Sequence, residues 1–266
     1  MKLIHLSDTH LLARRGETLY GLDPHARLAE AIDSVVRRHA DAEACLVTGD
    51  LTDAGSDAAC RDLAGLLARL PMPVHLLPGN HDDRTALLRH FPSMQRDAGG
   101  FLQGAVELSL GRLLLLDSVD AGRPQGCYCA ARLDWLDGQL RRAERDDVPL
   151  WLALHHPPMD SGIVSMDRYG MPGERPRALA ELLRPHAARI RHLFFGHVHR
   201  AFAGTWQGIG FSCTRSTCHQ VALDLTREDE VPGSDEPAGY GVILADARQV
   251  IVHHQLIGPM EARFVL

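Results

Sequence analysis

The chain has 266 residues, 45% of them apolar and 23% charged, and its 28 Lys and Arg against 34 Asp and Glu leave a net charge of −6. That balance belongs to a globular protein rather than a disordered one, and without a basic block it argues against nucleic-acid binding or a polybasic membrane role. The longest apolar runs, 113–116 and 151–154, fall far short of the roughly 18 to 20 residues that span a bilayer, so no membrane segment is expected.

In chain order, the first apolar run is 2–6, and it turns polar at Ser7-Asp8, too soon for the apolar region of a signal peptide. A cytoplasmic chain is expected. The six cysteines, Cys45, Cys60, Cys127, Cys129, Cys213 and Cys218, follow no disulfide-framework spacing, so they are expected to be reduced. Asp23 followed by Pro24 opens a helix whose Leu28, Ala31, Ile32 and Val35 recur at helical spacing. A second apolar run, 44–48, precedes a helix opened by Ser56 or Asp57, with Leu63, Leu66, Leu67 and Leu70 on one face and Pro71 closing it. The run 74–77 follows, and then a hairpin of 105–110 and 112–116 meeting at Gly111. Leu133, Leu136 and Leu140 mark a third helix, 150–154 a fourth apolar run, Leu179, Leu182 and Leu183 a fourth helix, and 192–195 a fifth run. Short continuous apolar runs alternating with helices are strands buried on both faces, so the fold class is α/β.

Beyond Arg200 the helical pattern ends and 202–206, 208–213, 239–244 and 249–256 read as strands. The expectation is a catalytic core over 1–200 and a small β-rich C-terminal appendage over 201–266 that completes the core. Its strands either close the chain's own sheet or pair between subunits of a homo-oligomer. The acidic, Pro- and Gly-containing stretch 227–239 reads as an exposed loop, with a lid as the lesser reading.

Polar residues stand at the end of every one of the five runs: Asp8-Thr9-His10, Gly49-Asp50, Gly79-Asn80-His81, His155-His156 and Gly196-His197-Val198-His199. In an open α/β sheet, ligands bind beyond the carboxyl ends of the strands, so five segments converge on one crevice. In Asp8-x-His10 and His197-x-His199, the period of extended chain points both side chains the same way. Asp8, His10, Asp50, Asn80, His155, His197 and His199 form a cysteine-free donor set suited to Mn, Fe, Co or Zn. Seven donors exceed one ion's needs and fit two ions about 3.5 to 4 Å apart that share a carboxylate.

These five motifs, with His155-His156-Pro157-Pro158 and Asp82 after His81, resemble the calcineurin-like metallophosphoesterase set, complete and in order over residues 8–199. Arg15-Gly16-Glu17-x-Leu19-Tyr20-Gly21, the run from Leu77 to Asp83, and Cys218-His219-Gln220 are similar to the bacterial branch of glycerophosphodiesterases and class III cyclic-nucleotide phosphodiesterases. The resemblance implies a four-layer αββα sandwich. It implies one ion on Asp8, His10, Asp50 and His199 and a second on Asp50, Asn80, His155 and His197, with Asp50 bridging and His156 serving a supporting role. His81, Asp50 and Asn80 are then the catalytic set, and His81, His219 and Asn80 the substrate contacts.

The expected activity is hydrolysis of small phosphodiesters, glycerophosphodiesters or cyclic nucleotides, by in-line attack of hydroxide generated at the two ions. Two dications against two aspartates leave a positive centre that complements a phosphodiester monoanion. Rival readings are weaker. The segment Asp50-Leu51-Thr52-Asp53-Ala54-Gly55 lacks the Asp-Arg-Gly of phosphoprotein phosphatases, the net charge disfavours a nuclease, and the full donor set disfavours a non-catalytic scaffold. Because Asn80 replaces a carboxylate in the second set, the site that includes Asp8 is expected to fill first. Anomalous-scattering occupancies at limiting Mn²⁺ test this, and preferential filling beside Asn80 would contradict it.

Overall fold

The computed structural model describes residues 1–258. In chain order the elements are β1 (Lys2–Leu6), α1 (Pro24–His39), β2 (Ala44–Thr48), α2 (Asp57–Leu67), β3 (Val74–Leu77), α3 (Arg84–His90), β4 (Gly104–Leu108), β5 (Gly111–Leu116), α4 (Ala130–Arg145) and β6 (Leu150–Leu154). They continue with α5 (Val164–Asp167), α6 (Arg175–Leu183), β7 (Ile190–Phe195), β8 (Phe202–Trp206), β9 (Ile209–Cys213), β10 (Gln220–Val221), β11 (Gly233–Ser234), β12 (Gly239–Ala245) and β13 (Val250–Leu256).

Local chemistry sets the helix starts. The Asp23 carboxylate accepts from the His25 and Ala26 N–H groups at 2.9 and 3.1 Å, Ser56 Oγ accepts from Ala59 N, and Asp83 accepts from Ala86 N at 2.7 Å. Ser56 rather than Asp57 therefore caps α2. The seven-residue α3, whose cap Asp83 lies within the Asn80-His81-Asp82-Asp83 run, is a helix that the periodicity does not show.

The strands form two main sheets. One has the order β13-β12-β1-β2-β3, with β1, β2 and β3 parallel; the other has the order β4-β5-β6-β7-β9-β8, with β5, β6, β7 and β9 parallel. Alternation along each strand assigns side chains to layers. Ile4, Leu6, Cys45 and Val47 face α1 and α2, where Leu28, Ile32 and Leu63 meet them. Leu150, Leu152, Leu154, Leu193 and Phe195 face α4 and α6 through Leu136, Leu140 and Leu179. Leu3, Leu46, Leu77, Leu113, Trp151, Ala153 and Phe194 fill the space between the sheets. Three apolar interfaces separate four layers, helix, sheet, sheet, helix, which is why the parallel strands read as unbroken apolar runs.

The C-terminal strands belong to both sheets. β9 pairs with β7, and β12 runs antiparallel between β1 and β13. The stretch read as a loop contains β11, which pairs with β10 at Gln220↔Ser234 and Val221↔Gly233. A two-residue ladder leaves no hydrophobic period in the sequence. All six cysteines carry free thiols.

Two histidines are buried between the sheets. His5 Nε2 lies 2.8 Å from Thr48 Oγ1, and His192 Nε2 lies 2.9 Å from Ser212 Oγ. Burial lowers His5 to about 3, helped by His254 and His192, and burial lowers His192 to about 4. Both stay neutral in the folded chain, whereas an unfolded histidine takes up a proton below about pH 6.5. Their contribution is fully present above that pH and is lost as pH falls toward 4 and below. At pH 5 each such histidine costs about 2 kcal/mol. Urea denaturation should therefore show a stability decline between pH 7 and pH 5. His192→Asn, which keeps a polar group beside Ser212, should make that decline smaller by about 2 kcal/mol; equal declines in the two proteins would contradict this.

Candidate metal centre

The carboxyl ends of β1, β2 and β3 in one sheet and of β6 and β7 in the other face a common space. Backbone bonds draw these turns together: Asp8 N–H donates to Gly49 O at 3.0 Å, His10 N–H to Asp50 O at 2.9 Å, and Gly196 N–H to His155 O at 3.2 Å. Among the described residues eight non-glycines have positive φ, and five of them, Asp8, His10, Asp50, His197 and His199, lie in this cluster. The left-handed backbone costs an ordinary residue roughly 1–2 kcal/mol, so its concentration here marks the point where packing imposes geometry on the side chains. Close approach makes two glycines obligatory. A Cβ at Gly79 would collide with the Asp50 backbone nitrogen and carboxylate, and one at Gly196 with Ser7 Oγ.

The ligand atoms of Asp8, His10, Asp50 and His199 all lie within 4.8 Å of one another, and these side chains are buried. His10 Nε2 and His199 Nε2 are 3.1 Å apart, and His199 Nε2 is 3.4 Å from Asp8 Oδ1. On the other side, His155 Nε2 lies 3.3 Å from Asp50 Oδ2 and 3.2 Å from Asn80 Oδ1. His197 joins His155 in a second group, and its buried Nε2 has no hydrogen-bond partner. The structure thus brings Asp8, His10, Asp50, Asn80, His155, His197 and His199 together, with Asp50 between the two halves.

Proton bookkeeping on the imidazoles tests whether this set fits metal ions. His10 Nδ1 faces Asp53 Oδ1 at 3.1 Å, His155 Nδ1 faces Thr48 O at 2.7 Å, and His199 Nδ1 faces His219 O at 3.0 Å. Each partner accepts a hydrogen bond, so each Nδ1 carries a proton and Nε2 is the atom left to offer a cation at the centre. With two carboxylates and the unpartnered His197 Nε2, this is a donor set for hard-to-borderline cations with its outer hydrogen bonds in place. His156 spends both ring nitrogens elsewhere, Nδ1 with Ser118 Oγ at 2.8 Å and Nε2 with Pro124 O at 3.2 Å.

Electrostatics follow from burial and charge. Burial alone would raise the Asp50 carboxyl, yet facing His155, then His10 and His81, hold it well below the usual carboxylate range. His155 is raised to about 9 against its burial, chiefly by Asp50, so its Nε2 holds a proton for Asp50 that a bound cation would displace. Burial lowers His197 and His199 to about 3, so both are neutral and able to donate to a cation. Burial raises the Asp8 carboxyl despite His155.

Opening onto the centre is a pocket of about 620 Å³ lined by His10, Asp50, Asn80, His81, His199 and His219 together with outer residues. His81 Nδ1 donates to Asp53 O at 2.8 Å, and the His219 ring lies 4.3 Å from the His199 ring, tilted 44° to it. A cavity of about 640 Å³ elsewhere, between α2, β3 and α3, is lined mainly by apolar side chains such as Leu67, Met72 and Phe91 and holds no such cluster.

Two residues escape a reading of the sequence by strand ends. Asp82 accepts from the Gly79, Leu51 and Thr52 N–H groups at 2.9 to 3.0 Å and so ties the β2 and β3 turns together; burial, then Asp50, raise it to about 6. Asp53, three residues past Asp50, binds His10 with its side chain and His81 with its carbonyl. Its position in the Asp50 turn is the signal that could have exposed it.

The sequence profile of the calcineurin-like phosphoesterase family matches residues 1–201. Over 257 residues the chain is 40% identical to a probable cyclic nucleotide phosphodiesterase of Rhodopseudomonas palustris, covering 95% of this chain and 91% of that protein. It is 30% identical over 267 residues to a probable glycerophosphodiester phosphodiesterase of Arcobacter nitrofigilis, covering 99% and 96%. It is 32% identical over 234 residues to a 3′,5′-cyclic adenosine monophosphate phosphodiesterase of Pseudomonas aeruginosa, covering 87% and 82%. Among solved structures, a purple acid phosphatase from yellow lupin seeds superposes with a TM-score of 0.70 at 11% identity, over 96% of this chain and 51% of that one, a likeness of fold.

Asp53→Ala should free the His10 ring and weaken Mn²⁺ binding about 10- to 100-fold, with Asp53→Asn, which can still accept from Nδ1, intermediate. Isothermal calorimetry with Mn²⁺ reads this directly, and unchanged affinity in Asp53→Ala would show that the contact does not orient His10.

Proposed function

The chain belongs to the calcineurin-like phosphoesterase family, and from that membership we propose that it is a two-metal phosphoric diester hydrolase acting on small phosphodiesters, glycerophosphodiesters or cyclic nucleotides. The observation that carries the reading is the convergence of the Asp8, His10, Asp50 and His199 ligand atoms within 4.8 Å, with the imidazole protons of His10 and His199 turned away from the centre. In this proposal Asp8, His10, Asp50 and His199 hold one ion, and Asp50, Asn80, His155 and His197 the other. Bound Mn, Fe, Co or Zn ions would supply Lewis-acid polarisation of the phosphoryl oxygens and a nucleophile at neutral pH.

The remaining work falls to the chain's own side chains. The His81 backbone N–H donates to Asp50 Oδ1 at 3.0 Å, which fixes the turn carrying its ring. With Nδ1 bonded to the Asp53 carbonyl, His81 has Nε2 left for the substrate, and a proton passed to the departing alkoxide leaves from that atom. Asn80 and His219 hold the phosphate and the outer part of the substrate. No helix among the described residues is long and apolar enough to cross a membrane, and a cytoplasmic site of action belongs to the same proposal. So does a homo-oligomer, for which β13 offers a sheet edge.

The test is turnover of bis(p-nitrophenyl) phosphate by the Mn²⁺-loaded protein, with none expected for Asp50→Asn. A protein with both ions bound and no turnover would overturn the proposal in favour of a binding scaffold. His81→Ala separates the steps. Loss of a general acid should lower kcat by about 100-fold or more for a glycerophosphodiester, whose alkoxide needs a proton, and far less for the p-nitrophenyl ester, whose phenolate leaves without one. Equal losses on both substrates would remove His81 from the acid role.

A further inference from the structure

Beyond the residues assigned to metal and phosphate, the pocket is walled by Tyr20 and Leu22 from one loop, Met166 and Tyr169 from another, and Val231 to Asp235 from the C-terminal part. No lysine or arginine lines it among the described residues. Three aspartates do. Asp50 faces His155 and Asp53 faces His10, whereas the Asp235 carboxylate has no hydrogen bond or ion pair among the described residues.

Its placement is built rather than incidental. The antiparallel β10–β11 ladder pairs Gln220 with Ser234, and His219 and Asp235 are the chain neighbours that flank this end of the ladder. The His219 ring lies 5.0 Å from the His10 ring and 4.9 Å from that of Tyr20, so the His219 end of the ladder borders the centre. The backbone beside Asp235 is anchored: Glu236 is gripped by Arg200 at 2.8 Å and Arg215 at 2.6 Å, and Pro232 O accepts from Ala222 N at 2.9 Å. The backbone on either side of Asp235, Ser234 in the ladder and Glu236 on its two arginines, is thus fixed beside the pocket that Asp235 lines.

We propose that Asp235 makes the outer pocket a charge filter, which accepts the far arm of a diester when that arm is neutral or cationic and rejects it when it carries a second phosphate. This rests on the phosphodiesterase reading of the centre. The scissile phosphate would meet positive charge from bound ions, but a second phosphate further out would meet an unpaired carboxylate between the walls of Tyr20, Tyr169 and Met166, with no lysine or arginine lining the pocket among the described residues. An ammonium arm gains from the carboxylate and from the aromatic faces together.

The experiment compares matched pairs on Mn²⁺-loaded protein: the dinucleoside monophosphate ApA against its 5′-phosphorylated form, and glycerophosphocholine against glycerophosphoglycerol. For a solvent-accessible charge the expected preference in kcat/KM is about five-fold for ApA and for the choline ester. Both ratios should fall toward one in Asp235→Asn, and the phosphate penalty should invert in Asp235→Lys. Ratios near one in the wild type, or ratios unchanged in Asp235→Asn, overturn the proposal. Bis(p-nitrophenyl) phosphate assayed alongside distinguishes the two levels, since its failure to turn over defeats the phosphodiesterase reading alone. In that event calorimetric binding of phosphocholine against glycerol 3-phosphate, which needs no turnover, decides the filter, and equal affinities in the wild type overturn it.

Discussion

The buried Asp8 carboxylate ties the strand ends of the two sheets together. Both oxygens of Asp8, at the end of β1, accept the His197 backbone N–H from the end of β7 at 3.0 and 3.1 Å, and the Asp8 carbonyl accepts Ser216 Oγ at 2.7 Å. Asp8 is fully buried, and a carboxylate kept from water must have its acceptor capacity filled. The contact therefore helps set the separation and stagger of the two sheets. Everything else at the centre depends on that alignment, because the donors approach from both sheets and none of the strand ends could assemble the set alone.

The same alignment explains the concentration of left-handed backbone. A strand that simply continued would carry its ligands past the crevice. A single residue at positive φ turns the chain and aims the side chain back, at Asp8 and His10 after β1, Asp50 after β2, and His197 and His199 after β7. Such conformations persist only where the surroundings over-determine them. Here the surroundings are the three apolar layers, with Leu6, Val47, Leu77, Leu154 and Phe195 just upstream fully buried. Packing energy from the sandwich is thus converted into fixed donor geometry, and a rigid donor set loses less on binding an ion than one that must assemble.

Much of this was legible in the sequence, and the limits have physical causes. Strands buried on both faces announce themselves as apolar runs, and the polar residues that end them stand out by contrast, so the convergence of those residues and the α/β class were readable from composition and order. Elements shorter than about two periods were not. The α3 helix hides its cap inside the Asn80-His81-Asp82-Asp83 run, and the two-residue β10–β11 ladder has no pattern to read. The seat of β12 between β1 and β13 depends on pairing across some 240 residues, which local patterning does not encode. Asp53 and Asp82 act through bonds to residues distant in the chain, so only the folded arrangement reveals what they hold.

The crowding at Gly79 and Gly196 has an evolutionary corollary. Where a single added carbon collides with Asp50 or Ser7, the chain has almost no room to vary, and the chemistry is held constant by steric exclusion as much as by selection on activity. The opposite wall is made of loops and a two-residue ladder that border the core without being wedged into it, and sequence change there is cheap. One scaffold can then retain a reaction while drifting among substrates, with innovation confined to the side of the crevice where backbone packing leaves slack.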